Sequence, residues 1–274
     1  MAKYSHDTIV PFKDSELGKK QQVAQMFDRI AFRYDFLNRF LSGGIDIYWR
    51  KRAIRELVSL RPKVPAEATP TPTPASPIPP AIGDPAPALS VLDVATGTGD
   101  MAIMMTRYLP PVTITGIDIS TGMLDIGRQK ITRMKLDDRI TLKEGDSEAI
   151  PFPDSSFDAI TVAFGVRNFE NLEKGLKEML RVLRPAGRLV ILEFSQSKWP
   201  AFKYLCNLYM RLIAPGIAGI MASDRKAYQY LNDSVKAFPE GKDLIGIMDR
   251  NGYANTRLRR LSLGICTIYV GEKL

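Results

Sequence analysis

The stretch Val91-Leu92-Asp93-Val94-Ala95-Thr96-Gly97-Thr98-Gly99-Asp100 constrains the fold of this chain more than any other. An apolar run that reads as a buried strand meets a glycine-rich turn, and Met101 to Leu109 then reads as a helix. Gly97 and Gly99 let the backbone turn sharply and leave no side chain between it and a ligand, while the first amides of a helix have no partners within it. Such a corner suits a nucleotide. Ala102 completes the loose dinucleotide pattern G-x-G-x-x-G/A, so the glycines alone do not choose between cofactors.

The acids discriminate. Asp93 and Asp100 flank the turn, where they would repel a pyrophosphate but suit a cofactor carrying an ammonium and a sulfonium. S-adenosylmethionine fits that charge pattern better than NAD(P), although Asp100 also suits a helix N-terminus for its own sake.

With 274 residues, 45% of them hydrophobic, the chain can build one large α/β domain with additions. The net charge is +8, and Arg50, Lys51, Arg52 and Arg55 share one predicted helix, which leaves open either an anionic partner or a plain solvated face. Cys206 and Cys266 show no C-x-x-C spacing and suggest neither a metal site nor a disulfide. The single histidine, His6, falls in a polar N-terminal segment, so Ser-His-Asp and Cys-His chemistry are excluded. The N-terminus carries no apolar signal core, and Leu212 to Ser223 is too short to span a bilayer and is broken by Pro215. A cytoplasmic protein is expected, touching a membrane surface at most.

In chain order, residues 1 to about 20 read as polar and mobile. Phe27, Ile30, Ala31, Tyr34, Leu37 and Leu41 then recur at helical spacing up to a break at Ser42-Gly43-Gly44. A second helix is expected from Asp46, as N-cap, to Leu60. Ten of the nineteen prolines lie between Pro62 and Ala88, which marks an extended insert or linker separating an N-terminal helical segment (1–61) from a core (89–274). Within the core, Val112 to Ile117 reads as a second strand ending at Asp118, about where an acid holds ribose hydroxyls, followed by a helix from Met123 to Met134. A third strand from Ile140 leads to Gly145-Asp146-Ser147, where Asp146 could accept from an adenine amino group. Phe157 to Phe164 (strand), Leu172 to Leu183 (helix) and Arg188 to Phe194 (strand) complete a doubly wound, mostly parallel sheet of Rossmann-like α/β type. An aromatic, amphipathic stretch from Trp199 to about Phe238 reads as a helical cap. The helix Asp243 to Arg250 and two strands, Tyr253 to Arg260 and Gly264 to Val270, close the chain with an antiparallel hairpin.

These features together resemble the class I S-adenosylmethionine-dependent methyltransferases. Four segments narrow the likeness to the UbiE/MenG quinone methyltransferases: Phe27-Asp28-Arg29-Ile30-Ala31 leading to Tyr34-Asp35-Phe36-Leu37-Asn38 and Trp49; Phe164-Gly165-Val166-Arg167-Asn168; Arg181 to Gly187 running to Glu193-Phe194-Ser195; and Tyr228-Gln229-Tyr230-Leu231-Asn232-Asp233-Ser234. Departures are Asp46 where the family usually has histidine, Ala186 for a glycine, and Ala163 where a small hydroxyl residue is frequent.

The resemblance implies C-methylation of a polyprenylated quinol, without a metal. It places Asp93, Gly97, Thr98, Gly99, Asp118, Asp146, Ser147 and Ala163 around the cofactor, and Arg167, Asn168, Tyr34 and Asp35 around the quinol oxygen, with Arg167 steadying a phenolate or a water rather than acting as a free base. The implied partners are the quinol and an anionic membrane surface, not nucleic acid. Demethylmenaquinol is favoured over a methoxylated benzoquinol on the strength of Asp46 and the variant cap, with a dual menaquinone/ubiquinone methyltransferase as the alternative that the resemblance leaves open. An NAD(P)-dependent oxidoreductase and a non-catalytic lipid-binding protein are the rival readings.

Overall fold

The computed structural model describes residues 4–60, 88–109, 111–196 and 225–274. The strands are β1 (Leu89–Val94), β2 (Val112–Asp118), β3 (Ile140–Glu144), β4 (Phe157–Ala163), β5 (Leu183–Phe194), β6 (Ala254–Leu261) and β7 (Cys266–Glu272). They form one sheet in the order β3-β2-β1-β4-β5-β7-β6. The first five are parallel, and β7 runs antiparallel to both β5 and β6. The helices are α1 (Lys19–Leu41), α2 (Ile45–Arg55), α3 (Asp100–Tyr108), α4 (Thr121–Arg133), α5 (Leu172–Val182), α6 (Arg225–Ala237) and α7 (Lys242–Arg250).

β1 is apolar because both of its faces are covered. Leu89 and Val91 pack with Ile54 of α2, Met105 of α3 and Leu124 of α4, whereas Leu92 and Val94 pack with Leu176 of α5 and Met248 of α7. A third cluster joins Val23, Met26 and Ile30 of α1 to Met123 of α4 and Tyr230 of α6. Strand order reverses between β1 and β4, so a crevice opens beyond their carboxyl ends, and α1 lies over it.

Three sequence expectations change. Asp46 is not the N-cap of α2: Gly44 takes that position in left-handed backbone (φ 79°), and α2 ends at Arg55. Asp46 is instead buried, accepting from Ser42 Oγ at 2.9 Å and pairing with Arg50. β5 begins at Leu183, because Arg184 to Gly187 makes an irregularity inside the strand. Most of the polar N-terminal segment is docked rather than mobile. His6 is fully buried between the rings of Tyr4 and Phe238, and Lys19 Nζ donates to its carbonyl at 2.6 Å. The few apolar side chains of this segment, among them Ile9 and Phe12, pack against the α1 cluster and outweigh its polar composition.

Residues 62–87 of the proline-rich stretch and 199–224 of the expected cap lie outside the described residues; residues 225–237 form α6. Among the described residues no helix is long and apolar enough to cross a membrane.

Candidate active site

The crevice is a cavity of about 660 Å³, counted to its open mouth. Its floor is the set of loops that follow β1, β2, β3 and β4, and its roof is α1. Gly97, Asp118, Asp146, Ser147 and Ala163 line it from below, Asn168 from the turn beyond β4, and Tyr34 from above.

Two glycines fix the floor. Gly97 has φ 57°, and a Cβ there would meet nothing within 4 Å, so the loop presents bare backbone to open space. Gly165 is required by close approach, since a Cβ on it would sit 2.5 Å from that of Ala95, which itself holds φ 53°. Gly97 N and Ser120 N donate to the two oxygens of Asp118, at 2.8 and 2.9 Å. Burial nevertheless raises the Asp118 pKa, the backbone donors only partly offsetting it. Each carboxylate oxygen keeps a lone pair for a further donor, which suits a ribose diol.

Helix α1 is tied to three successive loops by polar contacts. Lys20 Nζ lies 2.6 Å from Asp146 Oδ2 and 3.4 Å from Glu148 Oε2. Asp28 Oδ1 accepts from Ser120 Oγ at 2.6 Å and from Gly122 N at 2.9 Å. Asp35 accepts from Thr98 Oγ1 at 2.6 Å and from Lys130 Nζ at 2.9 Å.

Asp93 and Asp100, whose charges favoured a sulfonium cofactor, do not line the cavity. Asp93 is buried beneath the loop and accepts from Thr96 Oγ1 at 2.6 Å and Thr161 Oγ1 at 2.5 Å; burial pushes its pKa up to about 6. Asp100 is paired with Lys130 and lies 3.4 Å from Arg39, and despite burial these cations hold it below the usual carboxylate range. Among the described residues, the carboxylates that do line the cavity are Asp118, Asp146, Glu148 and Glu170, against Lys20 as the lining cation. The excess of negative charge is therefore present, on other residues. Thr98, Gly99 and Asp35 likewise stand behind the lining, where they shape the loop and its contact with α1.

Arg167, expected beside the quinol oxygen, does not line the cavity: it is buried, and its Nη1 donates to Glu193 Oε1 and to the Phe164 carbonyl, both at 2.6 Å. Burial opposes its charge, but Glu193 outweighs this and raises its pKa, so it stays a cation. Its Nε is buried without a partner among the described residues. Phe164 adopts φ 61°, uncommon for a bulky residue, and its ring lies 4.5 Å from that of Phe194. Arg50 stacks over Phe164 at 5.3 Å and Arg167 over Phe194 at 5.5 Å, so two guanidiniums bracket the aromatic pair. Asn168 Oδ1 accepts from Tyr230 Oη at 3.1 Å. Tyr34 is edge-on to Phe27 at 5.7 Å, and burial raises its pKa.

Lys20, Asp28, Lys130, Glu193 and Tyr230 received no role from sequence. Asp28, Glu193 and Tyr230 sit inside the quoted family segments, so position marked them without saying what they do. Lys20 and Lys130 carry no local pattern, and only the fold brings them to the loops.

The geometry agrees with what comparison finds. Among solved structures, a methyltransferase from Thermotoga maritima described as S-adenosylmethionine-dependent and a possible histamine N-methyltransferase superposes with a TM-score of 0.58 at 16% identity, over 91% of this chain and 99% of its own. A putative S-adenosyl-L-methionine-dependent methyltransferase from Methanococcus maripaludis gives 0.56 at 16% identity, over 96% and 97%. These likenesses establish the fold, that of class I S-adenosylmethionine-dependent methyltransferases. Among sequence relatives, the demethylmenaquinone methyltransferase of Bacteroides fragilis is 40% identical over 98% of this chain and 99% of its own length. The ubiquinone/menaquinone biosynthesis C-methyltransferase UbiE of Geotalea daltonii is 43% identical over 96% and 100%. Residues 15–273 match the model of the ubiE/COQ5 methyltransferase family, and with relatives this similar over nearly the whole length, the chain belongs to that family.

Proposed function

We propose that this protein methylates a ring carbon of a polyprenylated quinol, with demethylmenaquinol as its substrate and menaquinol as product. The observation that carries the reading is one cavity lined both by Gly97 and Asp118 and by Tyr34 and Asn168. The first pair suits a nucleoside cofactor and the second a phenolic oxygen.

S-adenosylmethionine, when bound, supplies an electrophilic methyl group on a cationic sulfur. Asp118 would hold its ribose hydroxyls, Ser147 and Asp146 its base, and the bare backbone at Gly97 its close approach. The acidic lining favours a cationic ligand over a pyrophosphate. The quinol carbon would become nucleophilic when the neighbouring hydroxyl loses its proton; as the carbon–methyl bond formed, the sulfur–methyl bond would break to leave a neutral thioether, and the same carbon would then release its hydrogen as a proton. Asn168 would donate its amide N–H to the phenolate oxygen, because its Oδ1 is already occupied by Tyr230. Tyr34, its pKa raised, stays protonated and acts as a second donor rather than a base. Arg167 cannot accept a proton while paired with Glu193, so water carries the proton away. Alignment inside the cavity provides most of the acceleration.

Apolar walls from Val23, Phe27, Ile119 and Met123 suit the start of a prenyl tail, and a protein acting on such a substrate works at the membrane surface. A dual naphthoquinol and benzoquinol specificity is the second reading, prompted by the name of the Geotalea daltonii relative. Thermal protection tests the cofactor assignment: S-adenosylmethionine should raise the melting temperature, NAD(P)H should not, and Asp118→Ala should abolish the shift. Protection by NADPH in place of S-adenosylmethionine would overturn it.

A further inference from the structure

We infer that the exposed apolar and basic side chains of α1 and of the start of α2 form a docking surface for the anionic phospholipid bilayer. The inference deepens the quinol reading, since it names the face from which a membrane-resident substrate would be met. Phe32 on α1 is 89% exposed, and Ile45, Ile47 and Tyr48 in the first turn of α2 are 44%, 39% and 50% exposed. So many large exposed apolar side chains within one short stretch are unusual for a surface turned only to water.

Charge selects the occupant. From Asp28 to Glu56 every acidic side chain is engaged within the protein: Asp28 with Ser120 and Gly122, Asp35 with Thr98 and Lys130, Asp46 with Arg50, and Glu56 with Arg257. Arg33, Arg52 and Arg55 make no ion pair among the described residues, and Arg33 and Arg55 are exposed. The stretch thus spends its negative charge inward and leaves cations and apolar side chains outward, the combination that binds anionic headgroups and the acyl boundary beneath them. Of the basic cluster seen in the sequence, Arg50 takes no part, because it is buried against Asp46. Tyr34, two residues from Phe32, points into the cavity, so one helix faces both the lipid surface and the reaction chamber.

Flotation of the full chain with vesicles of phosphatidylcholine, with and without phosphatidylglycerol, tests the surface. Binding should require phosphatidylglycerol and fall about tenfold in Phe32→Ser/Tyr48→Ser and about fivefold in Arg33→Gln/Arg55→Gln, while the melting temperature and its shift with S-adenosylmethionine stay unchanged. Unaltered flotation of both variants overturns the inference. So does a change from dimer to monomer on substitution without any vesicle binding, which would assign the face to a second copy. A fall in melting temperature without vesicle binding would assign it to the chain's own packing and also overturn it. Turnover of a short-tailed, water-soluble quinol, assayed without vesicles, separates the two claims: if it fails while flotation holds, the quinol reading falls and the surface stands.

Discussion

Tyr230 Oη donates to Oδ1 of Asn168 at 3.1 Å, so a residue on α6 fixes which end of an amide beyond β4 can face the cavity. With the oxygen occupied, the amide N–H is the group left for the proposed contact with the quinol oxygen. Tyr230→Phe should lower kcat about threefold to tenfold with little change in KM, and Asn168→Ala about a hundredfold, as expected for a donor aimed at developing negative charge. Steady-state kinetics on both variants checks this; an effect confined to KM would mean that Asn168 only binds the ground state.

The buried pair of Arg167 and Glu193 is a matter of stability as much as of chemistry. Glu193 is fully buried, and its Oε1 also accepts from Phe194 N at 2.9 Å. Glu193→Ala leaves a guanidinium uncompensated and should cost about 3–5 kcal/mol in urea unfolding, whereas replacing an exposed partner such as Asp125 of the Arg128 pair should cost less than about 1 kcal/mol. Equal costs would show that the Arg167 charge is met by another group.

Closure of the roof depends on Asp35 and Lys130. Lys130 Nζ reaches Asp35 at 2.9 Å and Thr98 Oγ1 at 3.1 Å, and pairs with Asp100. Lys130→Ala should weaken binding of S-adenosylmethionine about fivefold to tenfold by leaving three polar groups without their shared cation. Isothermal calorimetry reads this directly, and an unchanged Kd would separate α1 from cofactor retention.

His6 makes docking of the N-terminal segment sensitive to pH. Burial first, then Lys19, lowers its pKa from 6.5 to about 4, against the opposing pull of Asp7. Between those values the unfolded segment binds a proton that the docked one refuses. The contribution is therefore complete above about pH 6.5 and is lost as the pH falls through about 4, on the order of 3 kcal/mol at its limit. Limited proteolysis near Lys13 should accelerate below pH 6 in the wild type and lose that dependence in His6→Phe. A rate that is flat with pH in the wild type would contradict it.

How much of this was legible in the sequence follows from which forces are local. The strand–turn–helix at Val91 to Asp100 declares itself, because a doubly covered strand must be apolar and a backbone-lined turn must be glycine-rich. The alternation of strands and helices up to Phe194 and the closing hairpin were readable for the same reason. The wrong boundaries came from tertiary terms. Asp46 has the chemistry of an N-cap but is claimed by Arg50, and the polar N-terminus is held by a buried histidine that composition cannot reveal. Within the site, Asp118, Asp146 and Asn168 could be placed by their position after strands. The partners that orient or close the site, Glu193, Tyr230, Lys20 and Lys130, lie 26, 62, 126 and 32 residues from Arg167, Asn168, Asp146 and Thr98 respectively, and only the fold brings each pair together.

The central claim is that this cavity methylates demethylmenaquinol, and the direct measurement is mass-spectrometric detection of methyl transfer from isotope-labelled S-adenosylmethionine. Reduced demethylmenaquinone and a reduced polyprenyl methoxybenzoquinone would be supplied in parallel, with Asn168→Ala as control. The account predicts labelled menaquinol from the first substrate, little product from the second, and a loss of about a hundredfold in the control. Product from the benzoquinol alone, or from neither while S-adenosylmethionine still protects the fold, would contradict it.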